Sequence, residues 1–359
     1  MRILGLPNGV NGAAYYRVFL PLTHLERGSG GAHVVSLPHP AQAGQLGGTW
    51  ISGHDVIVGQ CVARNGAAMW QSFRDDGDGA LVYEADDDLI TPIDVRWHPG
   101  LAQYNDPGLR DSHIRAVQAS DLVTVSTPVL AERMSRYNPN VVVLPNCVNA
   151  DLLTMERPRR ERVTVGWQGS ATHLGDMQWA RKPLSRFFRE HPDVDLHIMG
   201  ADYRAYFGRP GDDITWETGP GGAPARPSAR PRRGVAAARF TPWQVNVWDM
   251  YNAVDFDIGL APLMPNAFND AKSCLKALEF GALGIPVIAS DEPAYRDFVV
   301  DGVTGFLVRR DHEWGQRLRD LVCDEGMRAE MGAKARVLAS QHTIQEHWPE
   351  WEKAYRSVI

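Results

Sequence analysis

Short apolar runs alternate with longer amphipathic ones along this chain, and the whole rhythm occurs twice. In the first half, Arg2–Pro7, Asp55–Gly59, Ala80–Ala85, Leu122–Ser126 and Val141–Leu144 read as strands. Helical patterns at Tyr16–Glu26 and Pro107–Ala119 lie between them. In the second half, Val163–Trp167, Asp195–Met199, Phe256–Ala261, Pro286–Ala289 and Gly305–Val308 read as strands. Helical patterns there cover Gly175–Glu190, Ala271–Leu283, 312–322, 325–340 and 344–357. Strands that alternate with helices in this way form a parallel sheet covered on both faces. A length of 359 residues exceeds one compact core and suits two domains. The polar stretch Asn149–Arg162 reads as the link. The expected fold is therefore α/β, with two doubly wound, Rossmann-like parallel-sheet domains, the first over 1–150.

Composition narrows the function classes. Hydrophobic residues make up 44% and charged residues 22%, as in ordinary globular proteins. The net charge of −6 argues against general nucleic-acid binding, which needs a basic footprint. Cys61, Cys147, Cys274 and Cys323 are widely spaced, with no C-x-x-C pair, so neither a zinc site nor a disulfide framework is expected. Met1–Pro7 is too short and too soon broken for a signal peptide, and no apolar run approaches the ~20 residues of a membrane span. A soluble, cytoplasmic protein with no transmembrane segment is expected. The Pro-, Gly- and Arg-rich stretch Thr218–Ala238 has no periodicity and is expected to be a mobile loop.

Ligands of open parallel sheets bind beyond the C-terminal ends of the strands, so the residues after each strand are the candidates. The first strand leads into Asn8-Gly9-Val10-Asn11-Gly12. Gly12 either lets backbone N–H groups approach a phosphate or simply makes a tight turn. The G-x-G-x-x-G fingerprint of dinucleotide enzymes is missing. Arg17 either contacts an anion, as a phosphate or acceptor contact, or pairs on a helix surface. After the third strand comes Asp86-Asp87-Asp88. Neighbouring carboxylates raise one another's pKa, which suits Asp86 or Asp87 as a general base; a solvated loop or a helix cap is the plainer alternative. In the second half, Gly169, Ser170 and His173 follow a strand and precede a helix, a second place for a phosphate. His173 can donate to a phosphate or a sugar hydroxyl, or be an ordinary exposed histidine. Finally, Lys272, Lys276 and Glu279 are spaced i, i+4 and i+7 on the helix expected at Ala271–Leu283. The lysines near the positive helix end suit a diphosphate and the carboxylate suits a ribose. Surface ion pairing is the alternative.

The segment Lys272-x-x-x-Lys276-x-x-Glu279-Phe280-Gly281-Ala282-x-Gly284-x-Pro286-Val287, followed by Asp301-Gly302-x-Thr304-Gly305, resembles the C-terminal domain of GT-B glycosyltransferases, in particular family 4 (group 1). The match is good over about 140–359 and looser before it. The resemblance implies an acceptor-side domain over 1–150, a donor-side domain over 151–340, and a final helix over 341–359, with Trp348 and Trp351, that crosses back to the first domain. It implies transfer of a sugar from a nucleotide-diphosphate sugar to an acceptor hydroxyl, with no cofactor or metal and with retention of configuration. Glu279 would hold the ribose, and Lys276 with Lys272 would lie near the diphosphate. Gly169 and Ser170 would face the donor from one domain and Gly12 from the other. The first acid of the family's Glu-(seven residues)-Glu pair falls on Ala271, which leaves the stereochemical course open. The two similar halves speak against the Asp-x-Asp metal motif of GT-A enzymes. The acceptor is not legible: glycan, lipid, small molecule, protein and modified nucleic-acid base all stay open. An epimerase or phosphorylase of the same fold and a non-catalytic nucleotide-sugar-binding protein are the alternatives.

Overall fold

A computed structural model describes residues 1–38, 51–62, 66–77, 79–94, 99–207, 215–217, 226–228 and 238–359. Most of the stretch expected to be a mobile loop, Thr218–Ala238, lies outside the described residues.

Two six-stranded sheets, parallel throughout, form the frame. The first contains β1 (Arg2–Leu6), β2 (Val34–Ser36), β3 (Val56–Gln60), β4 (Ala80–Ala85), β5 (Leu122–Val125) and β6 (Val141–Val143), in the order β2-β1-β3-β4-β5-β6. The second contains β7 (Thr164–Gly169), β8 (Asp195–Gly200), β11 (Ala238–Pro242), β12 (Ile258–Ala261), β13 (Val287–Ser290) and β14 (Gly305–Val308), in the order β11-β8-β7-β12-β13-β14. A small antiparallel pair, β9 (Thr215–Glu217) and β10 (Arg226–Ser228), stands apart. The α/β class and the doubly wound plan are as expected. In each sheet the direction of winding reverses beside the first strand, between β1 and β3 and between β7 and β12. Those two crevices are where such sheets accept ligands.

The strands are short apolar runs that are buried on both sides. β3 and β4 are buried throughout, as parallel strands covered by helices must be. Gly166 in β7 has a packing reason. A Cβ there would lie 2.0 Å from the Phe256 ring, so only glycine lets the ring close on the strand.

Twelve helices are used below in chain order. α1 (12–28) opens as Gly12–Ala14, widens to a π-helical stretch at Tyr15–Phe19 and continues as Leu20–Gly28. There follow α2 (Gly66–Asp76), α3 (Pro107–Ala119), α4 (Pro128–Met134), α5 (Leu174–Glu190), α6 (Val247–Asn252), α7 (Ala267–Asp270), α8 (Leu275–Ala282), α9 (Pro293–Arg296), α10 (Asp311–Cys323), α11 (Glu325–Ala339) and α12 (Ile344–Arg356). α12 packs on α1. A Cβ on Gly28 would lie 2.4 Å from the Trp348 ring, His33 Nε2 lies 2.8 Å from Glu352, and Trp351 is buried. One continuous apolar cluster includes Ile3 and Leu22 of the first sheet's layer, Trp351 and Tyr355 of α12, and Phe256 and Phe280 of the second domain.

One expected element changes its form. The helix expected at Ala271–Leu283 begins only at Leu275, as α8; its first four positions, 271–274, form an irregular turn, and the short α7 precedes that turn. Tertiary bonds hold that turn. The Thr127 hydroxyl donates to the Ala271 carbonyl, Asn146 donates to the Ser273 hydroxyl, and Lys272 reaches Asp87. Lys272 is thus off the helix, and only Lys276 and Glu279 share a helical face. α2, β2 and β11 were not anticipated. β11 is an edge strand of mixed polarity that ends on a proline, which hides its period.

Candidate active site

The site is assembled where the C-terminal ends of the two sheets meet. From the first domain come the α1 N-terminus, the turn after β3 and the turn after β4. Asn11 caps α1, its side chain accepting from the Ala14 N–H at 2.9 Å. Gly12 at that N-terminus looks across to the second domain: a Cβ on it would meet the Trp243 ring at 3.5 Å. Trp243 follows β11 and is 42% exposed.

Cys61 directly follows β3 with φ +45°, a left-handed conformation that a side chain strains. It turns the thiol toward Asp86 Oδ1, 3.8 Å away. The three aspartates have three different settings. Burial, and then the charge of Asp87, push the Asp86 carboxyl up to about 7. Asp87 accepts from Lys272 Nζ at 2.8 Å, across the domain junction. Asp88 is buried, accepts from the Ile90 and Thr91 N–H groups and pairs with Arg133 at 2.7 Å. Asp88 is therefore a structural cap, and Asp86 keeps the setting of a base.

Arg17 lies beneath the site and not in it. It is 0% exposed. Nε pairs with Glu84 at 2.7 Å, and Nη1 donates to the Leu144 carbonyl and to Asn146 Oδ1. Glu84 in turn accepts from the Thr124 hydroxyl at 2.5 Å. The reading of Arg17 as a contact for phosphate or acceptor is corrected: the side chain is fully buried, and its Nε and Nη1 tie α1 to the first sheet.

The second domain supplies the turn after β7 and the start of α8. Ser170 is exposed, with its hydroxyl 2.6 Å from that of Thr172. Gly169 sits against Trp167 and His173, where a Cβ would lie 2.7 Å from the indole. His173 Nδ1 lies 2.7 Å from Asp176. Burial and then Lys276 pull the His173 imidazole down to about 4. Lys276 stands in the first turn of α8, with its ammonium 5.6 Å from the Trp167 ring centre. Among the described residues no carboxylate comes within ion-pair range of it. Burial, and then Lys272, bring its ammonium down to about 8. Lys272 is shaped differently: burial pulls it down, but the charge of Asp87 and then a hydrogen bond to it push it above its ordinary value.

Glu279 lies one turn beyond Lys276. Oε1 accepts from the Tyr16 hydroxyl at 2.5 Å and the Tyr251 hydroxyl at 3.1 Å, and Oε2 accepts from Gln168 Nε2 at 2.7 Å. The hydroxyls of Tyr16 and Tyr251 also touch each other. Burial pushes the Glu279 carboxyl up, and the Tyr16 hydrogen bond and Lys276 return part of that shift.

The structure thus brings Gly169, His173, Lys276 and Glu279 together on one domain. Lys272 and Asp87 join the domains, with Asp86 beside them. Sequence reasoning missed Tyr16, Gln168, Asp176, Tyr251 and Trp243. Two local signals were available for them. Gln168 directly precedes Gly169, already singled out, and Asp176 follows His173 at helical spacing. Tyr16 and Tyr251 have no such signal, since they meet from positions 235 residues apart.

Comparison with known proteins bears on the fold and on one segment of the chain. Residues 235–338, which include Lys272, Lys276 and Glu279, match the family "Glycosyl transferases group 1". No curated protein matches the chain by sequence. The fold is similar to that of HepE from Anabaena, solved with UDP and glucose, at TM-score 0.67 and 14% identity, covering 99% of this chain and 100% of that one. It is also similar to sucrose-phosphate synthase from Thermosynechococcus elongatus (TM-score 0.62, 12% identity, 99% and 98% covered). A glycosyltransferase from Rickettsia africae gives TM-score 0.64 at 11% identity, with 99% and 98% covered. The chain has the GT-B fold.

Proposed function

We propose that the protein transfers a sugar from a nucleotide-diphosphate sugar to an acceptor hydroxyl. The observation that carries this reading is Lys276: a half-buried ammonium without an ion-pair partner among the described residues, at the N-terminus of α8 and one turn from the half-buried carboxylate of Glu279. Partial burial disfavours the charged ammonium, and a diphosphate would offset that. The helix N-terminus adds partial positive charge in the same place. Glu279 would accept the ribose hydroxyls, with Gln168 and Tyr251 holding its carboxylate. The exposed Trp243 ring, facing Gly12, suits the flat face of a base. HepE, of similar fold, has been solved with UDP-glucose, which favours a uridine nucleotide as the first to test.

The chemistry follows from charge. As the glycosidic C–O bond to the diphosphate breaks, negative charge collects on the leaving oxygen. Lys276 and the α8 N-terminus stabilise it there without a metal. Closure of the two domains excludes water, whose attack would waste the donor. Asp86 takes the proton of the acceptor hydroxyl, while Lys272 holds Asp87 and so keeps the acidic turn at the domain junction. The family resemblance implies retention, whereas a base at Asp86 belongs to direct inverting displacement. The anomeric form of the product decides between them. No helix among the described residues is long and apolar enough to cross a membrane.

The test is a thermal-shift screen with UDP-, GDP-, ADP- and dTDP-sugars, then a transfer assay with the nucleotide that binds. Stabilisation by one nucleotide class is expected, with turnover unchanged by EDTA. Substitution Glu279→Ala should lower transfer at least about tenfold, or ~1.4 kcal/mol; a smaller loss removes the ribose role. Conversion of the donor without an acceptor would instead identify an epimerase.

A further inference from the structure

His173 ends the short turn after β7, and Asp176 stands one helical turn later in α5, fully buried. The carboxylate oxygens of Asp176 are committed differently. Oδ1 accepts from the Met264 backbone N–H at 2.9 Å and from Asn269 Nδ2 at 2.7 Å. Oδ2 faces His173 Nδ1 at 2.7 Å. Two hydrogen bonds donated to Oδ1 favour the ionised carboxylate, and an ionised carboxylate can only accept. His173 Nδ1 therefore carries the ring proton and donates it.

The other ring nitrogen follows from this. The imidazole, held down to about 4 by burial and then by Lys276, is neutral near pH 7. A neutral ring protonated on Nδ1 offers a lone pair at Nε2. None of the described residues hydrogen-bonds Nε2, and the side chain is 14% exposed, beside Lys276 and Trp167. A lone pair cannot serve a phosphate oxygen, which is itself an acceptor. It can take the proton of a hydroxyl.

We infer that Asp176 is a positioning residue that fixes the Nδ1–H tautomer of His173, so that Nε2 accepts from a hydroxyl of the donor's sugar and separates sugar nucleotide from free nucleotide. This rests on the donor-binding reading above. It also removes the idea that His173 donates to a phosphate.

Substitution Asp176→Asn tests it with almost no change in shape. The backbone N–H of Met264 cannot be reversed, so the new amide oxygen stays on that side and the amide NH2 faces His173. Nδ1 must then accept, and the ring proton moves to Nε2. Nitrogen-15 spectra of the full-length protein should show Nδ1 protonated in the wild type and Nε2 protonated in D176N. Titrations with UDP, UDP-glucose, GDP and GDP-mannose should show sugar-nucleotide affinity falling about tenfold in D176N. Affinity for the parent diphosphate should stay within about twofold. His173→Gln, which places an amide oxygen near the Nε2 position, should keep more of the sugar preference than His173→Ala, and neither disturbs the bonds at Oδ1. Equal losses for diphosphate and sugar nucleotide, or a sugar preference that survives both D176N and H173A, would overturn the inference. Failure of the wild type to bind any of the four nucleotides would overturn the donor reading itself.

Discussion

Asp86 and Lys276 depart from their ordinary ionisation in opposite directions, and both departures bring them toward neutrality. Asp86, raised to about 7, is protonated below that pH and cannot act as a base there. Lys276, lowered to about 8, loses its charge above that pH and with it the attraction for a diphosphate. The profile of kcat/KM against pH should therefore rise through about 7, peak, and fall through about 8. Asp86→Asn should lower kcat by about 10²–10⁴-fold and flatten the acid limb. Lys276→Met should raise KM for the donor and flatten the alkaline limb. Lys276 and Glu279 were legible because helical spacing puts them on one face whatever surrounds them. Arg17 was not: its partner Glu84 is 67 residues away, and sequence carries no sign of that distance. Breaking the pair by Glu84→Gln leaves a buried guanidinium uncompensated. It should cost about 3–5 kcal/mol in denaturant unfolding.

At the scale of elements, strands and long helices were readable and short or mixed ones were not. α3, α10 and α11 have clear periods and lie within a residue of where they were expected. The turn at 271–274 is held by Thr127, Asn146 and Asp87, all distant in sequence, so local pattern extended α8 back over it. The contact of α1 with α12 gives a sharper check. Gly28 sits directly against Trp348, and the rigid indole cannot retreat far into a packed face. Gly28→Val should lower stability by about 1–3 kcal/mol, seen as a drop in Tm, and should leave the affinity for nucleotide nearly unchanged.

Across the whole molecule, the two domains are held together by bonds at the site itself. Tyr16 reaches Glu279, Lys272 reaches Asp87, Thr127 reaches the Ala271 carbonyl and Arg133 reaches the Ala267 carbonyl. The Tyr16 hydroxyl occupies Oε1 of Glu279, the carboxylate proposed to hold the ribose. A donor must displace it, so Tyr16→Phe should tighten donor binding, by up to about tenfold if one charge-assisted hydrogen bond is released. Weaker binding in that variant would show that Tyr16 supports the donor.

The return of α12 onto α1 has a consequence for synthesis. The face of α1 that receives Trp348 and Trp351 is made early, but its cover comes about 300 residues later, after the entire second sheet. At translation rates of about 5–20 residues per second, that apolar face stays open for roughly 15–60 seconds. During this interval the nascent chain presents a sticky surface to chaperones and to neighbouring ribosomes' products. The first domain is made before the second and sealed after it.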